Sequence, residues 1–253
     1  MNPVLEEICR NGESDTPNGG SVVVHSSIWM SEGRLIQSLI RDLRPSVTLE
    51  VGLGYGVSAL FICEALQEVG GQRHIVIDPM QNDSNNSWLG VGLYNLKRAG
   101  FESLIEFYEE PSFRVLPRLE AEGRSVDFAF IDGWTTLDFK LVDFFFIDRL
   151  LKVGGVVVVR AGKTPSGRKL NRFVATNLAY RPCGVFPERT ESMTRGRRLL
   201  KRMLKINRIR SRLDPFLRPE IVTTDDELGL SEQLVAFRKE HDDRREWHFH
   251  CEF

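Results

Sequence analysis

The sequence predicts a single-domain α/β protein built on a doubly wound, mostly parallel sheet of seven strands. Three observations carry that expectation. Five short, nearly continuous apolar runs alternate with helical stretches between residues 45 and 160, the rhythm of a parallel sheet covered on both faces. The connections between them are short, so right-handed crossovers distribute the helices over both sides. The first apolar run ends in "GLGYG", three glycines at alternate positions, Gly52, Gly54 and Gly56.

Taken in order, residues 1–20 read as a polar, loop-like lead ending in "PNGG". "SEGRLIQSLIRDL" places Leu35, Ile36, Leu39, Ile40 and Leu43 at helical spacing, and Pro45 stops it. "VTLEVG" is the first strand of the sheet, and "VSALFICEALQEVG" the helix after the glycine turn, stopped at Gly70 and Gly71. "HIVIDP" is the second strand, "SWLGVGLYNLKRAG" a helix with internal glycines, and "LIEFYEE" the third strand. "SFRVLPRLEAEG" is a short helix and "VDFAFIDG" the fourth strand. "DFKLVDFFFIDRLLKVGG" is a helix ending at Gly154 and Gly155, and "VVVVR" the fifth strand. "QLVAFRKE" and "EWHFHCEF" read as two further strands at one edge. The expected division is residues 1–44 as loop and leading helix, 45–160 as the ligand-binding core, 161–226 as a helical insertion or lid, and 227–253 as the final strands, all in one domain.

Composition narrows the function classes. A length of 253 residues suits one α/β domain with extra elements. A net charge of -1 excludes a surface that is basic throughout, as a general nucleic-acid binder would need. Cys9, Cys63, Cys183 and Cys251 form no CxxC pair, which argues against a zinc site or a disulfide scaffold and for reduced thiols in a cytoplasmic protein. No basic start precedes an apolar stretch, and no apolar run reaches the ~20 residues of a membrane span.

In an open parallel sheet, ligands sit beyond the carboxyl ends of the strands. Gly52, Gly54 and Gly56 occupy such an end and let the backbone approach a ligand. Asp78 closes the second strand, where a carboxylate suits the hydroxyls of a ribose. A nucleotide-like ligand follows, against the bland alternative of a structural turn. A nicotinamide cofactor is disfavoured, because the dinucleotide fingerprint separates its last two glycines by two residues.

Glu50 stands two residues before the first glycine, giving E-x-G-x-G-x-G. Together with "HIVIDP", "VDFAFIDG" and "RLLKVGGVVVV" in that order, it resembles the class I S-adenosylmethionine-dependent methyltransferases. The likeness is greatest to the small bacterial O-methyltransferase branch akin to catechol-type enzymes and cephalosporin-hydroxylase-like proteins. It covers about residues 25–160 and, more loosely, the closing strands. The resemblance implies a Rossmann-like methyltransferase fold that binds S-adenosyl-L-methionine and releases S-adenosyl-L-homocysteine. By it, Glu50 would approach the methionine amino group, and Gly52, Gly54, Gly56 and Ser58 would line the cofactor. Asp78 would hold the ribose and Ser112 the adenine. Asp132, Gly133 and Trp134 would flank the methyl donor. Each has a rival: Asp78 and Ser112 as helix caps, Trp134 as core.

The chain departs from the pattern where catechol-type relatives bind a divalent metal. Asp132 fits the first acidic position, but "VVVVRAG" puts Arg160 and Ala161 where an acid belongs, and Asn171 with one carboxylate makes a poor site. No metal is expected. Thr135 stands where that branch has His, so the base that would take the acceptor's proton has to be sought elsewhere. Asp132 is the first candidate and His25 the second. His248 and His250 alternate along an expected edge strand, and their bland reading is solvent exposure. Arg160, at a strand's carboxyl end, offers a charged fork for a carboxylate or phosphate on the substrate.

"RTESMTRGRRLLKRMLKINRIRSR", residues 189–212, combines cationic residues with an apolar stripe. A packed helix or lid comes first, a docking helix for an anionic partner second, and nucleic acid last, since aromatic interleaving is absent. The expected activity is methyl transfer to an oxygen of a small molecule such as a sugar or secondary metabolite, with an anionic acceptor and a homo-oligomer left open. The rival is a methyltransferase fold without catalysis that serves binding or assembly, motivated by Thr135 and Arg160.

Overall fold

The structure is a computed structural model. It describes residues 1–83, 86, 88–160, 163–184, 225, 228–230, 232–249 and 251. The chain opens with α1 (Pro3–Asn11), β1 (Glu13–Asp15), β2 (Ser21–Val23) and α2 (Met30–Leu43). The alternating core follows as β3 (Val47–Val51), α3 (Val57–Glu68), β4 (Arg73–Ile77), α4 (Val91–Arg98), β5 (Ile105–Tyr108), α5 (Ser112–Ala121), β6 (Val126–Ile131), α6 (Leu137–Leu150) and β7 (Leu151–Arg160). It ends with α7 (Pro165–Asn177), β8 (Tyr180–Cys183) and β9 (Leu234–Lys239).

The large sheet has seven strands in the order β5-β4-β3-β6-β7-β9-β8. β5 through β7 run parallel, and β9 lies antiparallel between β7 and β8. Successive side chains of one strand feed two cores. On β7, Val156 and Val158 pack with Leu60, Phe61 and Ile62 of α3, while Val157 and Val159 pack with Phe144 and Ile147 of α6. Both faces are covered, which is why these strands read as continuous apolar runs. Strand order reverses between β3 and β6, and the crevice at their carboxyl ends is where the loops converge.

Three departures from the expected elements have physical causes. The first twenty residues are not a loop. Asn2 caps α1 by accepting from the Val4 amide at 3.0 Å, Pro3 opens the helix, and Val4, Leu5 and Ile8 are buried. β1 and β2 then pair as a small antiparallel hairpin. "EWHFHCEF" is not a strand over its described residues: Trp247 is 97% exposed, and nothing there pairs with the sheet. The seventh strand is instead β8, where Tyr180 docks on Phe144 and donates its hydroxyl to Asp148 at 2.6 Å. The arginine-rich stretch at 189–212 lies outside the described residues. In sequence it falls between the last two strands, not before them. Among the described residues no helix is long and apolar enough to cross a membrane.

Candidate functional site

A cleft of about 520 Å³ opens at the carboxyl ends of β3, β4, β6 and β7. The turn after β3 forms its floor. Gly52 has φ +92°, and a Cβ there would stand 2.6 Å from the Asp132 carbonyl, so glycine lets the ends of β3 and β6 meet. Gly56 is excluded from a side chain by the Gly92 carbonyl, 2.9 Å from where its Cβ would be, and it does not line the cleft. Gly54 differs. It has φ +53°, and the nearest atom to an added Cβ is the Trp88 ring at 3.8 Å. Two of the three glycines therefore answer to the protein's own packing, and Gly54 alone has room for a side chain, against the Trp88 ring.

Asp78 organises that turn. One carboxylate oxygen accepts from the amides of Leu53 at 2.8 Å and Gly54 at 3.0 Å, and the other accepts from the Met80 amide at 2.8 Å. The side chain is 4% exposed at the cleft wall. Ser58 and Ser112, both buried, line the same cleft, as do Gly133 and Trp134. Trp134 is not core: it is 57% exposed and stacks on Phe139 with ring centres 4.8 Å apart.

Glu50 does not reach the cleft. It is fully buried behind the turn with its carboxylate 3.7 Å from His74 Nε2, and neither of its oxygens has a hydrogen-bond partner. In-and-out alternation explains this: Leu49 and Val51 face the α6 side, so Glu50 faces the opposite layer. The expected contact with a ligand's amino group is corrected accordingly.

Asp132 and Arg160 meet across the ends of β6 and β7. Arg160 donates to the Asp132 carboxylate at 2.9 Å, to the Ser26 carbonyl at 2.7 Å and to the Ser27 carbonyl at 2.6 Å. Three of its five N–H groups are thus engaged within the protein, while its buried Nε has no hydrogen-bond partner. Burial raises the Asp132 carboxyl to about 7, against the pull of Arg160. Lys140, 1% exposed beneath them, donates to the Arg160 carbonyl at 3.0 Å, and burial lowers its pKa. Asp143, one turn further along α6, is raised to about 6 by burial.

This arrangement does not suit a divalent cation. The one carboxylate at the expected position already holds a guanidinium, whose positive charge repels a metal. Asn171 is fully buried on α7 and does not line the cleft. Among the described residues no three His, Cys, Asp or Glu side chains gather as a ligand set.

His25 does line the cleft. Its Nε2 shares a hydrogen bond with the Tyr55 hydroxyl at 3.0 Å, and its Nδ1 lies 3.2 Å from Ser26 Oγ. Tyr55 and Trp88 stack edge to face at 4.8 Å, and His25 packs on both. Sequence reasoning missed these two aromatic residues. Tyr55 was visible inside the glycine turn, but only the fold folds Trp88 back over Gly54. His248 borders a separate depression with Arg244 and Phe249, away from the cleft, and His250 lies outside the described residues.

Comparison with known proteins adds the following. Residues 49–159 match a family described as a methyltransferase domain. A caffeoyl-CoA O-methyltransferase of Stellaria longipes is 31% identical over 132 residues, covering 49% of each chain. A probable caffeoyl-CoA O-methyltransferase of Arabidopsis thaliana is 32% identical over 163 residues, covering 61% of this chain and 62% of its own. The chain spans about half the length of most curated relatives it matches. An O-methyltransferase from Bacillus cereus, solved with SAH, superposes with a TM-score of 0.56 at 16% identity, over 72% of this chain and 83% of that one. The O-methyltransferase TomG of Streptomyces achromogenes, involved in tomaymycin synthesis and solved with SAM, gives 0.52 at 23% identity, over 63% and 74%. At these identities the superpositions establish the fold.

Proposed function

We propose that residues 49–159, which match a methyltransferase domain, form a class I methyltransferase and that the protein transfers a methyl group from S-adenosyl-L-methionine to an oxygen of a small molecule. The observation that carries this reading is the convergence of the Gly52–Gly54 turn, Asp78, Ser112 and Asp132 on one cleft, with bare backbone at Gly54. Asp78 Oδ2 already accepts from Leu53, Gly54 and Gln81, but its Oδ1 accepts only from Met80 and so keeps a lone pair for a ribose hydroxyl, and Ser58, Ser112 and Gly133 line the same wall. Bound there, the cofactor would supply an electrophilic methyl group on a sulfonium. The chain's own part is to align the acceptor and take its proton.

Asp132 and His25 are the proposed bases. With its pKa raised to about 7, Asp132 exists in both protonation states near neutrality, as a general base requires. His25 lines the same cleft, its ring oriented by Tyr55. Trp134 and Phe139 offer an apolar wall that keeps water from the acceptor. The reading is metal-free, because Arg160 supplies the positive charge beside Asp132. The four cysteines form no CxxC pair in the sequence, which favours a cytoplasmic setting, and fractionation of a tagged chain would check it.

The test is calorimetric titration of S-adenosylhomocysteine and of NAD into the purified protein, with magnesium and with chelator. Micromolar binding of the first alone, indifferent to metal, is expected. It would be followed by transfer of labelled methyl to a panel of hydroxylated acceptors. Absence of S-adenosylhomocysteine binding would overturn the reading. Binding without turnover across the panel would favour a fold retained for binding or assembly.

A further inference from the structure

Residues 25–27 cross the mouth of the cleft between β2 and α2. The backbone on either side has its own anchors. The Val24 amide donates to the Gly12 carbonyl at 2.9 Å, and the Trp29 amide donates to the Glu32 carboxylate at 2.7 Å. Between them, the carbonyls of Ser26 and Ser27 both turn inward to Arg160. Ser26 adopts φ +56°, a left-handed conformation that a non-glycine residue holds only when its surroundings impose it. The guanidinium that imposes it is only 14% exposed and is bound to Asp132 at the same time. One side chain thus ties the strap bearing His25 to the strand end bearing Asp132.

We propose that Arg160 is a positioning residue, a clasp that holds the His25–Ser27 strap against Asp132 and so performs through three hydrogen bonds the bridging and charge neutralisation that a metal ion would otherwise supply there. The chemistry favours arginine specifically. Its planar fork reaches one carboxylate and two carbonyls at fixed angles, whereas a lysine ammonium is a single point on a flexible stem. A cation competing for Asp132 would have to displace a buried guanidinium. The clasp sets where His25 sits relative to Tyr55 and Trp88, and therefore the shape of the mouth through which an acceptor enters. Its bearing on methyl transfer rests on the proposed function, but the clasp itself is defined without any ligand.

The experiment compares amide hydrogen exchange and the His25 ring-proton resonances of the full chain in wild type, Arg160→Lys and Arg160→Ala, each shown to melt cooperatively. In both variants, exchange across residues 25–28 should quicken about tenfold or more while α3 changes less than about twofold. The His25 resonances should lose the ring-current shift imposed by Tyr55 and Trp88. Chelator should leave wild-type strap protection unchanged. If Arg160→Ala does not fold, Arg160→Lys carries the comparison, since it preserves the charge beside Asp132. Unaltered strap exchange and unaltered His25 signals in a folded variant would overturn the proposal, as would loss of wild-type protection on adding chelator. Failure of wild type to bind S-adenosylhomocysteine alongside a quickened strap would reject the methyltransferase reading and leave the clasp standing.

Discussion

At the scale of single residues, the glycine turn separates into positions that serve the fold and one that faces the ligand space. Gly52→Ala would put a methyl group 2.6 Å from the Asp132 carbonyl, at a φ of +92° that alanine resists. That collision is with backbone, which cannot swing aside, so a loss of roughly 2–4 kcal/mol in stability is expected. Gly54→Ala meets nothing nearer than Trp88 at 3.8 Å. Its cost is the left-handed conformation alone, about 1 kcal/mol. Urea unfolding of both variants, paired with S-adenosylhomocysteine titration, tells packing from binding. We expect Gly54→Ala to stay folded and yet lose more than about tenfold in affinity, equivalent to about 1.4 kcal/mol. Unchanged affinity would mean the ligand does not approach that backbone. The motif itself was legible in the sequence. The division of labour among its glycines was not, because it depends on Asp132 and Gly92, which are distant in the chain.

At the scale of elements, α6 shows how periodicity misleads. Its sequence, LDFKLVDFFFIDRL, scatters five charged residues among nine apolar ones and marks no clean apolar face. The fold buries Lys140 and Asp143 with Phe144 and Ile147, and leaves Leu141, Val142 and Phe145 exposed, with Arg149 lying over the Phe145 ring at 4.0 Å. No count of apolar residues could foresee that face, since it is chosen by the strand-end charges it must meet. The leading helix α2 and the β3–β7 alternation were legible because local spacing and long-range packing agree there. α1 was not, because only Val4, Leu5 and Ile8 mark it within a polar stretch. The buried charges on α6 have a pH consequence. Burial raises the Asp143 carboxyl from 3.8 to about 6, against the opposing pull of Ser112 and Lys140. A raised acid favours the fold while protonated, so its contribution is complete below about pH 4 and is lost as pH rises through about 6. Asp143→Asn carries no charge at any pH. Its stability relative to wild type should therefore increase from pH 5 to pH 8, by about 1.4 kcal/mol. Urea titrations at the two values check this, and a pH-independent difference would show that Asp143 titrates normally.

At the scale of the whole molecule, the matched methyltransferase segment, residues 49–159, leaves two strands of the seven-stranded sheet outside it. β9 arrives after the long stretch that follows β8 and inserts antiparallel between β7 and β8. The sequence reading recognised β9 as a strand but assigned its partner to the tail, because the short "YRPC" strand contains a proline and carries almost no alternating signal. With that proline on β8 at the sheet edge, the pairing is physically reasonable and still hard to foresee. The consequence is that closing the sheet depends on residues beyond the alternating core. Leu234, Val235 and Phe237 are each at most 2% exposed. At about 1.5–3 kcal/mol apiece, their burial amounts to about 5–9 kcal/mol. That is comparable with the whole net stability of a domain, about 5–15 kcal/mol. A chain ending at residue 230 would keep every cleft residue named above but expose the edge of β7 from Val156 to Val159. We expect it to show no cooperative thermal transition by circular dichroism and to aggregate, as an uncovered apolar strand edge does. A sharp transition near that of the full chain, with S-adenosylhomocysteine binding intact, would instead make β3–β7 with their helices a self-sufficient unit and reduce β9 to an accessory strand.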